Sequence, residues 1–129
     1  MKTGIIIVDH GSRARESNQL LETIIIRFRE RFADEFSIVE PAHMELASPS
    51  IAQAYAAVVE QGATTVIVCP FFLGPGKHWR EDIPRLVAEA AKANPHTCYR
   101  ITGPLGVDSL MLDLLSLRIG ETLFSGVAT

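Results

Sequence analysis

Two histidines and a carboxylate stand where three apolar runs give way to turns. They are His10 in Asp9-His10-Gly11-Ser12-Arg13, Glu45 in Met44-Glu45-Leu46-Ala47, and His78 in Gly76-Lys77-His78-Trp79-Arg80. Imidazole nitrogens ligate divalent zinc, iron, cobalt or nickel, and they also move protons near neutral pH. A carboxylate beside them serves either purpose. Taken singly, each residue has a plainer use: a histidine after a strand is more often a hydrogen-bonded turn residue, and Glu45 ahead of Ser48 favours a helix N-terminus. The chemistry depends on whether the fold brings them to one place.

The neighbours of these residues narrow the ligand. Arg13, Arg15, Lys77 and Arg80 are cations close to the same turns, and Phe71, Phe72 and Trp79 add flat apolar surfaces. Phenylalanines in such a position are more often core than a ligand platform, whereas Trp79 suits either use. Together the two sets point to a large, flat, acidic ligand, with Arg13, Lys77 and Arg80 as the groups that would hold its carboxylates. Asp9 is placed to orient His10 or to cap the backbone turn. His43, two residues before Glu45, falls on the same side of its strand but deeper in the sheet. His96 follows Pro95 at the opposite end and reads as a solvated surface histidine.

Each candidate must be delivered by a strand. Residues 4–9 are a β-branched run without alternation, expected of a strand buried on both faces, and it ends at His10. Ser17 and Asn18 are the expected N-caps of a helix with Leu21, Ile24, Ile25, Phe28 and Phe32 at helical spacing. Residues 37–44 form a second strand, interrupted by Glu40, Pro41 and His43, and the proline places it at the edge of the sheet. Ser48 and Pro49 are the expected N-cap and first turn of a second helix, which buries Ile51, Tyr55, Val58 and Val59 and stops at Gly62. A third strand, residues 64–69, opens into the loop that bears His78. Asp82 then caps a helix with Ile83, Leu86, Val87, Ala90 and Ala91 on one stripe, ending at Asn94-Pro95. A fourth strand near residues 97–102 and a last helix from Asp108 or Ser109 to about Thr122 complete the chain.

Strands alternating with helices predict a doubly wound, flavodoxin-like α/β fold, with four parallel strands in the order 2-1-3-4 and helices on both faces. Residues 1–129 read as one domain, and that length suffices for a single core. In such a sheet, ligands bind beyond the carboxyl ends of the strands near the switch in strand order. His10, Glu45 and His78 all arrive there.

The bulk composition excludes several classes. An apolar fraction of 47% with 21% charged residues is that of an ordinary globular chain, and a net charge of −3 gives no reason to expect nucleic acid or a membrane as partner. No apolar run is long enough to span a bilayer, and Met1–Thr3 leads directly into a strand. A cytoplasmic protein, or the mature part of an organellar one, is therefore expected. Cys69 and Cys98 lie in or at the end of apolar runs without paired spacing, which predicts buried, reduced thiols and rules out a cysteine-bound cluster. The last helix carries Leu110, Met111, Leu112, Leu114, Leu115, Leu117 and Ile119 almost all round. One face is expected on the sheet and the other against a second subunit, giving a homodimer.

Three motifs in order, Asp9-His10-Gly11-Ser12-Arg13, Met44-Glu45-Leu46-Ala47-Ser48-Pro49-Ser50-Ile51, and Pro70-Phe71-Phe72-Leu73 followed by Gly76-Lys77-His78 and Asp82-Ile83-Pro84, closely resemble those of the sirohydrochlorin chelatases. These are the small class II chelatases of the CbiX and SirB type, and the resemblance covers nearly the whole chain. It implies insertion of Fe²⁺ or Co²⁺, with Ni²⁺ as a further option, into the acidic tetrapyrrole sirohydrochlorin, in siroheme or cobalamin biosynthesis. It also implies that His10 and His78 are metal-binding histidines and Glu45 an acidic site residue. The metal is a substrate, so no permanently bound cofactor is expected. Family members occur as one domain that dimerises or as two fused copies, and this chain matches the one-domain form. It lacks the cysteine-bearing extension of some plant-type members, so no iron–sulfur cluster is carried over, and His43 has no match. A non-catalytic metal or tetrapyrrole carrier would use the same groups. Phosphoryl transfer through His10 is disfavoured, because Asp9 sets a negative charge beside the imidazole that would accept phosphate. No dinucleotide or Walker motif competes, since Gly74-x-Gly76 lacks the third glycine.

Overall fold

A computed structural model of the chain describes residues 2–74 and 76–124, apart from the side chains of Lys77 and His78. Its elements are β1 (Lys2–Asp9), α1 (Arg15–Arg31), β2 (Ile38–His43), α2 (Ile51–Glu60), β3 (Ala63–Pro70), α3 (Lys77–Lys92), β4 (Cys98–Ile101) and α4 (Ser109–Phe124). The strands pair in parallel in the order β2-β1-β3-β4, as the sequence predicts.

The sheet has a core on each face, and β1 supplies both. Alternation along the strand sends Ile6 and Val8 to one side, where they join Tyr55 and Val58 of α2 and Ile83 and Val87 of α3. Ile5 and Ile7 go to the other side and pack with Leu21 and Ile25 of α1. Each aliphatic side chain so buried contributes about 1.5–3 kcal/mol. Gly4 lets α2 approach: a Cβ there would stand 2.7 Å from Val58 Cβ. Tyr55 is fully buried, and its hydroxyl is satisfied by Thr97 Oγ1 at 2.7 Å, which ties α2 to the entrance of β4. β2 is indeed an edge strand, and Arg29 reaches over from α1 to bond the Val39 carbonyl and pair with Glu40 at 3.3 Å, covering part of that open edge.

Three helices start away from the expected caps. α1 begins at Arg15, before Ser17 and Asn18, and has no side-chain cap. α2 begins after Ser50 rather than Ser48, because Ser50 and Gln53 form a reciprocal capping box: Gln53 N donates to Ser50 Oγ (3.1 Å) and Ser50 N donates to Gln53 Oε1 (2.8 Å). α3 begins at Lys77, so His78 lies in its first turn and not in a loop, and Asp82 is inside the helix with Pro84. Arg15 and Arg80 likewise sit at helix starts rather than in loops.

The fourth unit differs most from expectation. α4 buries none of its residues; Leu112, Leu115 and Leu117 are each more than half exposed, and no face of it is packed into the sheet. β4 is exposed too, so Cys98 is not a buried thiol. It lies beside Thr65, on the edge strand farthest from β2.

Candidate active site

The site grows out of the seam between β1 and β2. Asp9 and His43 are its last paired residues, and the backbone pairing runs on past them. Met44 N donates to the Asp9 carbonyl at 2.9 Å, and Glu45 N donates to the His10 carbonyl at 3.1 Å. Two different strands thereby hold His10 and Glu45 side by side, with His10 Nε2 2.9 Å from Glu45 Oε1 and each side chain 54% exposed. The turn after His10 needs glycine. Gly11 has φ +90°, and a Cβ there would fall 1.8 Å from the Glu45 carbonyl oxygen. Behind Glu45 the chain reverses through Leu46, a non-glycine residue at φ 67°, and returns so that His43 N donates to the Pro49 carbonyl at 2.8 Å.

Asn18 fastens the first turn from α1. It accepts from Ser12 N at 3.0 Å and donates to the Ser12 carbonyl at 2.7 Å, so the residue expected as a helix cap is instead a staple on the His10 turn.

Asp9 does not orient His10, which corrects the sequence reading. Its Oδ1 lies 2.6 Å from Nδ1 of His43, whose side chain is only 1% exposed. Adjacent strand residues point to opposite faces, so the side chain that meets Asp9 is its partner across the seam. The other ring nitrogen of His43, Nε2, is buried with no hydrogen-bond partner, a condition that costs about 1–3 kcal/mol. His43 does lie deeper than Glu45, as expected, and its burial keeps it out of reach of a solvent-borne ion.

The third strand brings aromatic rings to the same end. Phe71 N continues the β1–β3 pairing by donating to the Val8 carbonyl at 2.7 Å, while the Phe71 side chain packs with the α1 core. Phe72 meets the His10 ring edge-on, with centroids 6.4 Å apart, and stacks flat on Trp79 at 5.0 Å. Trp79 Nε1 donates to the Gly74 carbonyl at 3.2 Å, which closes the loop into α3. The stack therefore links His10 to the first turn of α3, the turn that contains Lys77 and His78. The side chains of those two residues lie outside the described residues, so their expected roles as cation and metal ligand remain sequence readings. Leu105 N and Gly106 N donate to the carbonyls of Phe72 and Leu73 at 2.8 Å each, so the fourth loop supports the third. Arg13 and Arg80 are exposed near these turns, and His96 is exposed as expected. Burial pushes the Cys69 thiol up from its ordinary range, against a smaller lowering effect of a hydrogen bond from Thr102.

The arrangement can turn two donors toward a metal ion. The Nε2–H of a neutral imidazole faces a carboxylate oxygen 2.9 Å away, and moving that proton to Nδ1 frees the Nε2 lone pair to ligate a divalent cation beside the carboxylate. Among the described residues no third histidine, cysteine, aspartate or glutamate completes a metal cluster around the pair. A groove of about 250 Å³ between α2 and α3, lined by Ile51, Ala52, Ala56, Leu86 and Ala90 among others, includes none of the site residues. The His10–Glu45 pair is an open surface, suited to a flat molecule laid across the strand ends. No helix among the described residues is long and apolar enough to cross a membrane.

Fold and site together define a doubly wound α/β protein with an open imidazole–carboxylate pair at the carboxyl ends of its strands, next to the switch point. The chain belongs to the CbiX family, whose model matches residues 4–122. It is 55% identical over 120 residues to the chloroplastic sirohydrochlorin ferrochelatase of Arabidopsis thaliana, covering 93% of this chain and 52% of that one. It is 30% identical over 120 residues to the sirohydrochlorin cobaltochelatase of Sulfolobus acidocaldarius, covering 93% of this chain and 92% of that one. Among solved structures, SirB from Bacillus subtilis with Fe³⁺ superposes with a TM-score of 0.83 at 27% identity, over 99% of this chain and 49% of that one. The chain thus spans about half the length of the Arabidopsis and Bacillus relatives.

Proposed function

We propose that the chain is a metal chelatase, a lyase that inserts Fe²⁺ or Co²⁺ into sirohydrochlorin, with Ni²⁺ a third metal its donors would accept. The observation that carries this reading is the solvent-open His10–Glu45 pair, 2.9 Å apart at the carboxyl ends of β1 and β2, next to the sheet's switch point. The named activities of the Arabidopsis and Sulfolobus relatives support it. Metallation replaces two pyrrole protons by one divalent ion, so the site must deliver a cation and accept protons at adjoining positions. Neutral His10 and His78 present the ion from one side, Glu45 or a histidine freed of the ion takes up the two pyrrole protons in turn and passes them to solvent, and Arg13, Lys77 and Arg80 hold the peripheral carboxylates. The metal ion is consumed as a substrate, and the mechanism calls on no resident cofactor.

His10→Ala and His78→Ala should each lower the insertion rate by about 100-fold or more while the circular dichroism spectrum stays native. Wild-type turnover of either variant at saturating metal would remove that residue from the mechanism.

The protein works as a homodimer in this reading. α4 presents an apolar surface left unburied among the described residues, and a second copy would cover it. The chloroplastic relative favours the stroma of an organelle as the compartment, with the cytoplasm as the alternative.

A further inference from the structure

Among the described residues, His43 and Tyr55 are the titratable side chains buried completely; the Tyr55 hydroxyl is satisfied by Thr97, whereas His43 is left with a free ring nitrogen and the mechanism above does not use it. An aliphatic side chain would fill the same space without leaving Nε2 unpartnered. Something must therefore favour a histidine at this position, and the only polar contact its ring makes among the described residues is the 2.6 Å bond to Asp9. That bond joins the final register pair of β1 and β2, one residue before His10 on one strand and two before Glu45 on the other. Gly11 lies directly against it, since a Cβ on Gly11 would come 3.2 Å from His43 Cβ.

The geometry points to the Asp9–His43 bond as a clamp that fixes the separation and direction of His10 and Glu45, making both positioning residues for metal insertion. Beyond the clamp, apart from the exposed His10–Glu45 pair itself, the two strands are joined among the described residues by the backbone bonds from Met44 N and Glu45 N, and Leu46 then turns the chain away at φ 67°. Without it, Glu45 hangs on a reversed loop and His10 on a glycine turn. The Asp9 carboxylate, 20% exposed and one residue from His10, would also be released to compete for the ion. Bonded to His43, it is held inward. Outer partners of metal-binding groups characteristically act in this way.

The inference rests on the proposed function for its turnover arm, but Co²⁺ binding by the protein alone tests it independently. In His43→Leu, the Co²⁺ dissociation constant should rise, and kcat for Co²⁺ insertion should fall, each by about 10- to 100-fold. KM for sirohydrochlorin should stay unchanged, and the visible spectrum of bound Co²⁺ should shift. His43→Asn places an amide N–H where Nδ1 stands and should restore most of both losses. A folded His43→Leu with wild-type Co²⁺ affinity, spectrum and kcat would overturn the clamp, as would a folded His43→Asn no better than the leucine variant. Should both variants fail to fold, Asp9→Ala removes the acceptor from a partly exposed position and must show the same losses; wild-type values there would also overturn it. A wild-type chain that binds Co²⁺ but inserts none would sink the proposed function and leave the clamp standing or falling on the binding data.

Discussion

The two halves of the sheet are finished to different degrees. At the β1–β2 seam, every turn is tied down by this chain alone: Asn18 holds Ser12, Asp9 holds His43, and Gly11 lies against the Glu45 backbone. At β3 and β4, the edge strand carries Cys98 in solvent, and the α4 that follows it leaves its apolar faces uncovered. Chemistry that requires sub-ångström placement is built where one chain supplies all the contacts. The face left uncovered is where the proposed second copy would add its own contribution, and apolar surface of that extent marks an interaction site.

The sharpest way to break the first region is Gly11→Ala. The added methyl would overlap the Glu45 carbonyl and require a left-handed backbone from alanine. Displacing Glu45 from His10 by about an ångström should cost about 100-fold in metal insertion, measured as initial rate. Retention of the wild-type rate would show that the pair's spacing does not matter. The second region should respond differently. In Leu112→Glu combined with Leu115→Glu, light scattering should report the mass falling from twice 14.1 kDa to 14.1 kDa, with helicity preserved. A wild-type chain already monomeric at micromolar concentration would remove the dimer. The smallest effect separates the two cysteines. Iodoacetamide should modify Cys69 several-fold more slowly than Cys98 in the double variant, because Cys69 is partly buried with its thiol pushed up. In the wild-type dimer, Cys98 should gain protection. Equal rates for Cys98 in both proteins would place the second copy elsewhere.

Much of this was legible in the sequence, for reasons that also explain the rest. Residues 4–9 and 64–69 are β-branched runs that read as strands between helical stretches, so the parallel sheet, its strand order and the arrival of His10 and Glu45 at one end followed from topology. Helix starts were harder, because capping chemistry is shared by neighbours: Ser48 and Ser50 are equally good acceptors, and only Gln53 at the right offset selects Ser50. α3 starts early because Gly76 is extended and admits the helix at Lys77, a signal too weak to compete with Asp82 and Pro84. Asp9 was assigned to His10 because they are neighbours in sequence. The pleat of a strand sends neighbours to opposite faces, and the cross-strand register that pairs Asp9 with His43 is visible only once β1 and β2 are aligned. Finally, the apolar stripe of α4 told of burial without telling by whom, since leucines all round a helix do not distinguish its own sheet from a partner's surface.

The most direct test is multiple turnover. With sirohydrochlorin and Co²⁺ in excess under anaerobic conditions, absorbance should record many metallated rings per chain, and the reaction should vanish in His10→Ala. A single burst equal to the protein concentration, with no turnover after it, would make the chain a carrier and contradict its assignment as a chelatase.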